Sequence, residues 1–240
     1  MSIDLLRSVF QNLYSGTNWS LQLLNIKSSK HNGISYSSRQ IILDEKELLN
    51  IRSSISDSYL GKERKSISSY NDVREYDGSA DNFTVYRINS KNNLISNEYT
   101  AFLNVIANPN NEEDPFKYGS AYLIQGEIVI EENKRNVKLI SIHTPITTLK
   151  HKFLHEKGAF REFSGKVLSL RPLIDIVIVD DMIYFLNLNG EKLFNMERSY
   201  KLVCHEKVME IETADIISGI ETFKSVAETG YNPRKFIAFN

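Results

Sequence analysis

The chain reads as an α+β protein with mixed, mainly antiparallel sheets and flanking helices, arranged as two domains. Three observations predict this. Runs of β-branched and aromatic residues bounded by Gly, Asn or Asp recur along the 240 residues, as strands and turns do. Apolar residues at helical spacing open the chain at Ile3, Leu6, Phe10 and Leu13. Between the halves, ANPNNEEDP at 107–115 places a Pro near each end of a stretch of Asn and acids, the composition of a boundary or long loop. The expected division is an N-terminal α+β domain at 1–108 and a C-terminal domain at 109–240. With 41% hydrophobic and 25% charged residues, either can bury a core.

In chain order, the first helix stops near Gly16, placed as a C-cap. WSLQLLNI and GISYSSRQIIL follow as strands around a polar break at 27–33. Asp44 stands where it can cap a helix through Glu47, Leu48 and Ile51. From 53 to 82 the chain is rich in Ser, Asp and Tyr and poor in aliphatics, the pattern of a surface helix followed by a long loop, with GKERKS exposed. FTVYRIN and YTAFLNVIAN read as strands. Beyond the boundary, YGSAYLIQGEIVIEEN and NVKLISIHTP read as two longer strands, the first bent or bulged at Gly126, with a turn at 134–136.

Residues 143–165 read as loop and helix, with Pro145 early, Leu149, Phe153 and Leu154 forming a stripe, and Gly158 ending it. A hairpin follows: LIDIVIV, a turn at Asp180 and Asp181, then MIYFLNL. Alternation puts Asp175, Val177 and Val179 on one face and Ile174, Ile176 and Ile178 on the other. Asp175 therefore implies either a half-wet face or a buried partner. Asn189 and Gly190 open a helix through Met196, YKLVCHEKVMEI fits strand or helix, and Thr213 opens a final helix. NPRKFIAFN is a strand-like ending, which suggests that these residues are part of a longer chain.

Several function classes are disfavoured. The single Cys204 excludes an intrachain disulfide and a Cys-rich zinc module, and it fits a reducing compartment. The first residues lack a signal-peptide pattern, and Asp175, Asp180 and Asp181 interrupt the most apolar stretch. A cytoplasmic location is expected. No Walker loop or dinucleotide glycine fingerprint occurs.

His151 and His155, at i and i+4 with His143 as a third imidazole, have zinc-ligand spacing on a helix. The zincin pattern needs Glu directly after the first His, and Lys152 stands there. Asp175, Asp180 and Glu191 follow the order of a metal-dependent nuclease, but Glu191 and Lys192 are adjacent and would leave a strand on opposite faces. Cys204 beside His205 forms no recognisable nucleophile–base motif. The reading therefore names no catalytic residue, metal or cofactor.

Charge distribution carries more. Between 134 and 171 lie nine basic residues, Lys134, Arg135, Lys138, Lys150, Lys152, Lys157, Arg161, Lys166 and Arg171. They face only Glu156 and Glu162 in the same span, in a chain whose net charge is −1. Such a segment can create a local positive field on a neutral protein. Phe153, Phe160 and Phe163 interleave the charges, as on surfaces that hold phosphates and stack bases.

GAFREFSGKVLSLRPLIDIVIVDDMIYFLNLNGEKLF, with the late NPRKFIAFN, resembles the uncharacterised-domain family typified by protein B of the Kiwa anti-phage defence system. The shared pattern is a basic aromatic segment, a Gly-x-Val-Leu-x-Leu strand, an Ile-Asp strand, a turn, an apolar strand ending in Asn, and Phe194 in the next helix. The resemblance covers the second half of the chain. It implies a cytoplasmic DNA-binding defence component that assembles into oligomers and is brought to the inner membrane by a membrane-embedded partner, protein A of that system. The expected function is sequence-independent DNA binding, with Lys150, Lys152, Arg161, Lys166 and Arg171 as phosphate contacts. The alternatives are a metal-dependent nuclease using Asp175, Asp180 and Glu191, and a non-catalytic scaffold docking on an acidic protein partner.

Overall fold

A computed structural model describes residues 3–29, 33–61, 66–79, 81, 83–110, 114, 118–156, 159–214, 216–229 and 232–239. For Ser29, 147–156, 159–165, Asn232, Ala238 and Phe239 the description is of the backbone alone. The chain is α+β, as its pattern predicts. Ten strands are β1 (Thr17–Ser29), β2 (Gly33–Ile41), β3 (Asp72–Glu75), β4 (Thr84–Asn89), β5 (Ala121–Ile130), β6 (Asn133–Ser141), β7 (Ile146–Glu156), β8 (Ala159–Leu168), β9 (Ile176–Val179) and β10 (Met182–Phe185). The α-helices among the described residues are α1 (Ile3–Gln11), α2 (Glu45–Leu60), α3 (Ser96–Ala107), α4 (Met196–Thr213) and α5 (Ile220–Ala227).

Eight strands form one sheet in the order β2-β1-β5-β6-β9-β10-β4-β3, antiparallel except for β3 beside β4. Strands β7 and β8 form a separate two-stranded sheet. The stretch at 107–115 lies between α3 and β5, and in the large sheet the four strands that follow residue 108 stand between two pairs that precede it.

Alternation along the central strands builds two cores. Leu23, Tyr122, Ile124, Leu139, Val177, Val179 and Tyr184 face Leu6, Phe10, Leu13, Leu48, Ile55 and Tyr59 of the α1–α2 side. Leu24, Leu123, Ile140, Ile176, Ile178, Ile183 and Phe185 face Tyr99, Phe102, Phe194, Met196 and Tyr200 of the α3–α4 side. A sheet buried on both faces needs near-continuous apolar strands, and IVIV and MIYF are such strands. Neither face of β9 is half-wet, which corrects that alternative for Asp175.

Local chemistry explains several elements. The Asp44 side chain accepts from the Glu47 amide at 2.7 Å and caps α2. Asp180, with φ 53°, and Asp181 close the β9–β10 hairpin as the pattern predicts. The β5–β6 turn is made by Glu131 and Glu132, both at positive φ, rather than by 134–136. β5 pairs with β6 in unbroken register through Gly126, and the irregularity lies on its other side, where Asn18 and Trp19 of β1 stand against that one position. A Cβ there would stand 2.4 Å from the Trp19 indole, so the glycine makes room for that ring.

Other expectations are corrected. YTAFLNVIAN is helix α3, because Tyr99, Phe102 and Ile106 bury at helical spacing and override strand propensity. YKLVCHEKVMEI lies within α4, and Thr213 ends that helix rather than opening the last one. The Ser-rich tract gives the second half of α2, a short 3-10 turn (Ile67–Ser69) and β3, and it buries Ile55, Tyr59, Ile67 and Tyr76. Of its basic GKERKS, residues 62–65 lie outside the described ones. The strand-like ending is a 3-10 segment (Asn232–Phe239).

Candidate nucleic-acid interface

The segment read as loop and helix at 143–165 is instead most of a β-ribbon. Thr147, Thr148, Phe160, Phe163 and Val167 are strand formers, and 159–168 pairs with the inward-facing backbone groups of 146–156 on either side of a register shift. With β7 extended, His151 and His155 do not sit on a helix face, so the spacing argument for zinc fails. His143 is committed elsewhere, as described below.

Register assigns the charges to the ribbon. Lys152 pairs with Phe163 and Leu154 with Arg161, so Lys152 and Arg161 occupy the same pleat two steps apart. Lys166 pairs with Thr148 and lies five positions beyond Arg161, on the opposite pleat. Lys150 falls in the register shift between Leu149 and Lys152. The side chains of Lys150, Lys152 and Arg161 lie outside the described ones, whereas those of Lys166 and Arg171 are exposed. The strands contact chiefly each other, and the ribbon meets the body at its root, where Ile146 and Leu170 pack on the α1–α2 core. There the Ser169 amide donates to the Pro145 carbonyl at 2.7 Å.

Of the remaining cations of the basic span, Lys134, Arg135 and Lys138 belong to the large sheet, and Lys157 lies outside the described residues. Arg135 bonds Asp180 at 2.8 Å. Lys138 lies beside Asp180 and Asp181, and burial holds its ammonium below the usual lysine range against their pull. Arg135 and Lys138 are thus drawn to the acids of the β9–β10 turn, whereas Lys150, Lys152, Arg161 and Lys166 lie on the ribbon with Arg171 at its foot.

The three acids of the nuclease reading are not brought to one place. Asp175 and Asp180 flank β9 at opposite ends, about 16 Å apart along extended chain. Asp175 is fully buried, and its Oδ2 accepts from the Ile142 amide at 2.5 Å and stands 3.3 Å from His143 Nδ1. Ser141 Oγ lies 3.0 Å from that same Nδ1. A Ser–His–Asp relay needs the two partners on different imidazole nitrogens, so this group is no catalytic triad.

Glu191 is buried against Arg234 at 2.6 Å and accepts from the Tyr76 hydroxyl at 2.8 Å. Burial raises its carboxyl above the usual range, opposed by Arg234 and Tyr76. This ion pair fastens the last 3-10 segment to the short 3-10 helix (Leu188–Phe194). Residue spacing gave no hint of it, since 43 positions separate the partners. Among the described residues no group of three His, Cys, Asp or Glu is arranged to hold a metal, and no helix is long and apolar enough to cross a membrane. No family model matches the chain, and no curated protein or solved structure is significantly similar to it.

Proposed function

We propose that the β7–β8 ribbon is an arm for duplex DNA, bound through phosphates without regard to sequence. The observation that carries the reading is a paired ribbon outside the main sheet that holds Lys150, Lys152, Arg161 and Lys166, with Arg171 at its foot. Its 11- and 10-residue strands give a reach of about 35 Å. A two-stranded ribbon fits the major groove, which is about 12 Å wide and walled on both sides by phosphates. Cations at positions of both pleats suit that setting better than a row on one side. Each phosphate neutralised releases counterions, and that release supplies the affinity.

The likeness to the Kiwa protein B family extends the reading. On it, the protein is a cytoplasmic defence component that forms homo-oligomers and works with a membrane-embedded partner of the protein A kind. Replacing Lys150, Lys152, Arg161, Lys166 and Arg171 by Glu is expected to abolish retention of a DNA duplex while the melting temperature persists. Unchanged retention would exclude this site. Retention of an acidic protein but not of DNA would favour the scaffold. Plasmid cleavage with Mg²⁺ or Mn²⁺ that Asp175→Ala abolishes would favour the nuclease.

A further inference from the structure

The ribbon joins the body by two legs, residues 142–145 and 169–175, and the legs are held unequally. The second leg is anchored independently. The Tyr59 hydroxyl on α2 accepts from the Ile174 amide at 2.8 Å and donates to the Ile174 carbonyl at 2.7 Å. Tyr59 is itself fixed by stacking on Phe10, with ring centroids 4.3 Å apart. Tyr122 donates to the Arg171 carbonyl, and the Asp175 amide donates to the Ile140 carbonyl at 2.8 Å. A pocket of about 210 Å³ opens between α2 and Leu170, Arg171 and Pro172, while Leu170 and Ile174 on either side of it pack on the α1–α2 core.

The first leg reaches this anchor through Asp175. Its Oδ2 accepts from the Ile142 amide and stands 3.3 Å from His143 Nδ1, while Oδ1, equally buried, has no hydrogen-bond partner among the described residues. The tyrosines whose acidity Asp175 affects do not serve that oxygen: Tyr59 donates to Ile174, Tyr70 to Leu186 and Tyr122 to Arg171, all at carbonyls. A buried carboxylate satisfied on one side is costly, and an apolar side chain would pack the position more cheaply. What the acid adds is a link between the legs.

We propose that Asp175 is a positioning residue for the ribbon. Its engaged oxygen draws Ile142 and His143 onto the anchored leg and so fixes the direction in which the arm leaves the sheet, without touching nucleic acid. The inference rests on the reading of the ribbon as a DNA arm, and its test separates the two. His143, three-quarters buried at the surface, is the gentler place to cut the link.

In the full chain without DNA, amide exchange at 142–146 is expected to quicken roughly tenfold in His143→Ala and in Asp175→Asn, with the large sheet unchanged. His143→Gln, which keeps a donor, is expected to restore protection. On a 30-base-pair duplex the affinity of His143→Ala is expected to fall about fivefold with an unaltered salt slope, because every cation is still present. Unchanged exchange at 142–146 in both variants would overturn the proposal. So would an affinity loss that comes with faster exchange throughout the chain or with a shallower salt slope. If the wild-type chain retains no DNA, the binding reading fails, and the exchange comparison still upholds or overturns the link.

Discussion

The hairpins β5–β6 and β7–β8 are both antiparallel and nearly equal in length, yet they are held in different ways. In β5–β6 Tyr122, Leu123, Ile124, Val137, Leu139 and Ile140 are all buried, and helices cover both faces. The β7–β8 ribbon pairs only with itself and is held at its root by Ile146, Leu170 and the Asp175 link. A two-stranded hairpin alone is marginal in water, so a root of this kind is what lets it persist. On the proposed reading the two hairpins have different tasks: the large sheet carries stability, and the ribbon carries charge. Substitutions in the sheet should change stability, whereas substitutions in the ribbon should change binding alone.

The largest expected effect lies in the sheet's α3–α4 core. Phe194 is fully buried among Tyr99, Phe102 and Phe185, with ring centroids 6.1 to 6.3 Å away. Phe194→Ala should cost about 3–5 kcal/mol in urea unfolding, the range for a buried aromatic cut to Ala. A loss below about 1 kcal/mol would mean that this layer is not where stability resides. Gly126→Ala comes next. Its new methyl must displace the Trp19 indole, at a cost of about 1–3 kcal/mol.

The buried Glu191 gives the comparison a pH signature. Its carboxyl is raised in the folded state, chiefly by burial, so between the ordinary glutamate value and the raised one the folded chain holds more protons than the unfolded chain. Its contribution to stability is thus full below that window and declines as pH rises through it. Glu191→Gln should flatten the decline in a series of chemical melts, and a wild-type curve rising across the window would contradict the assignment.

How far these regions were legible in sequence follows the same divide. Asp44 as a cap and Asp180 and Asp181 as a turn act on neighbours, and local chemistry names them. Helix α3 was hidden because Tyr99, Phe102, Val105 and Ile106 suit strands by type and a helix by spacing, and burial decided for spacing. The ribbon was hidden for the opposite reason. Leu149, Phe153 and Leu154 satisfy a helical stripe, while the pairing that makes them a strand comes from 159–168. The basic span was visible as a count, but Arg135 and Lys138 leave it for Asp180 only once β6 and β9 are side by side. Asp175 announced a need for a partner, and the partner, His143, stands on another strand's end.

The smallest effect on stability and the most specific on binding belong to Lys166. It is exposed on β8, on the pleat opposite Arg161. Lys166→Ala should therefore change unfolding free energy by no more than about 0.5 kcal/mol. If its ammonium meets a phosphate, the slope of log K against log salt should become shallower by about 0.9, with similar loss on any duplex sequence. The same substitution tests whether both pleats touch DNA, since a ribbon lying flat on one pleat would keep its slope when Lys166 is removed and lose it when Arg161 is. A slope that responds at both positions requires phosphates on both sides of the arm, which only a groove provides.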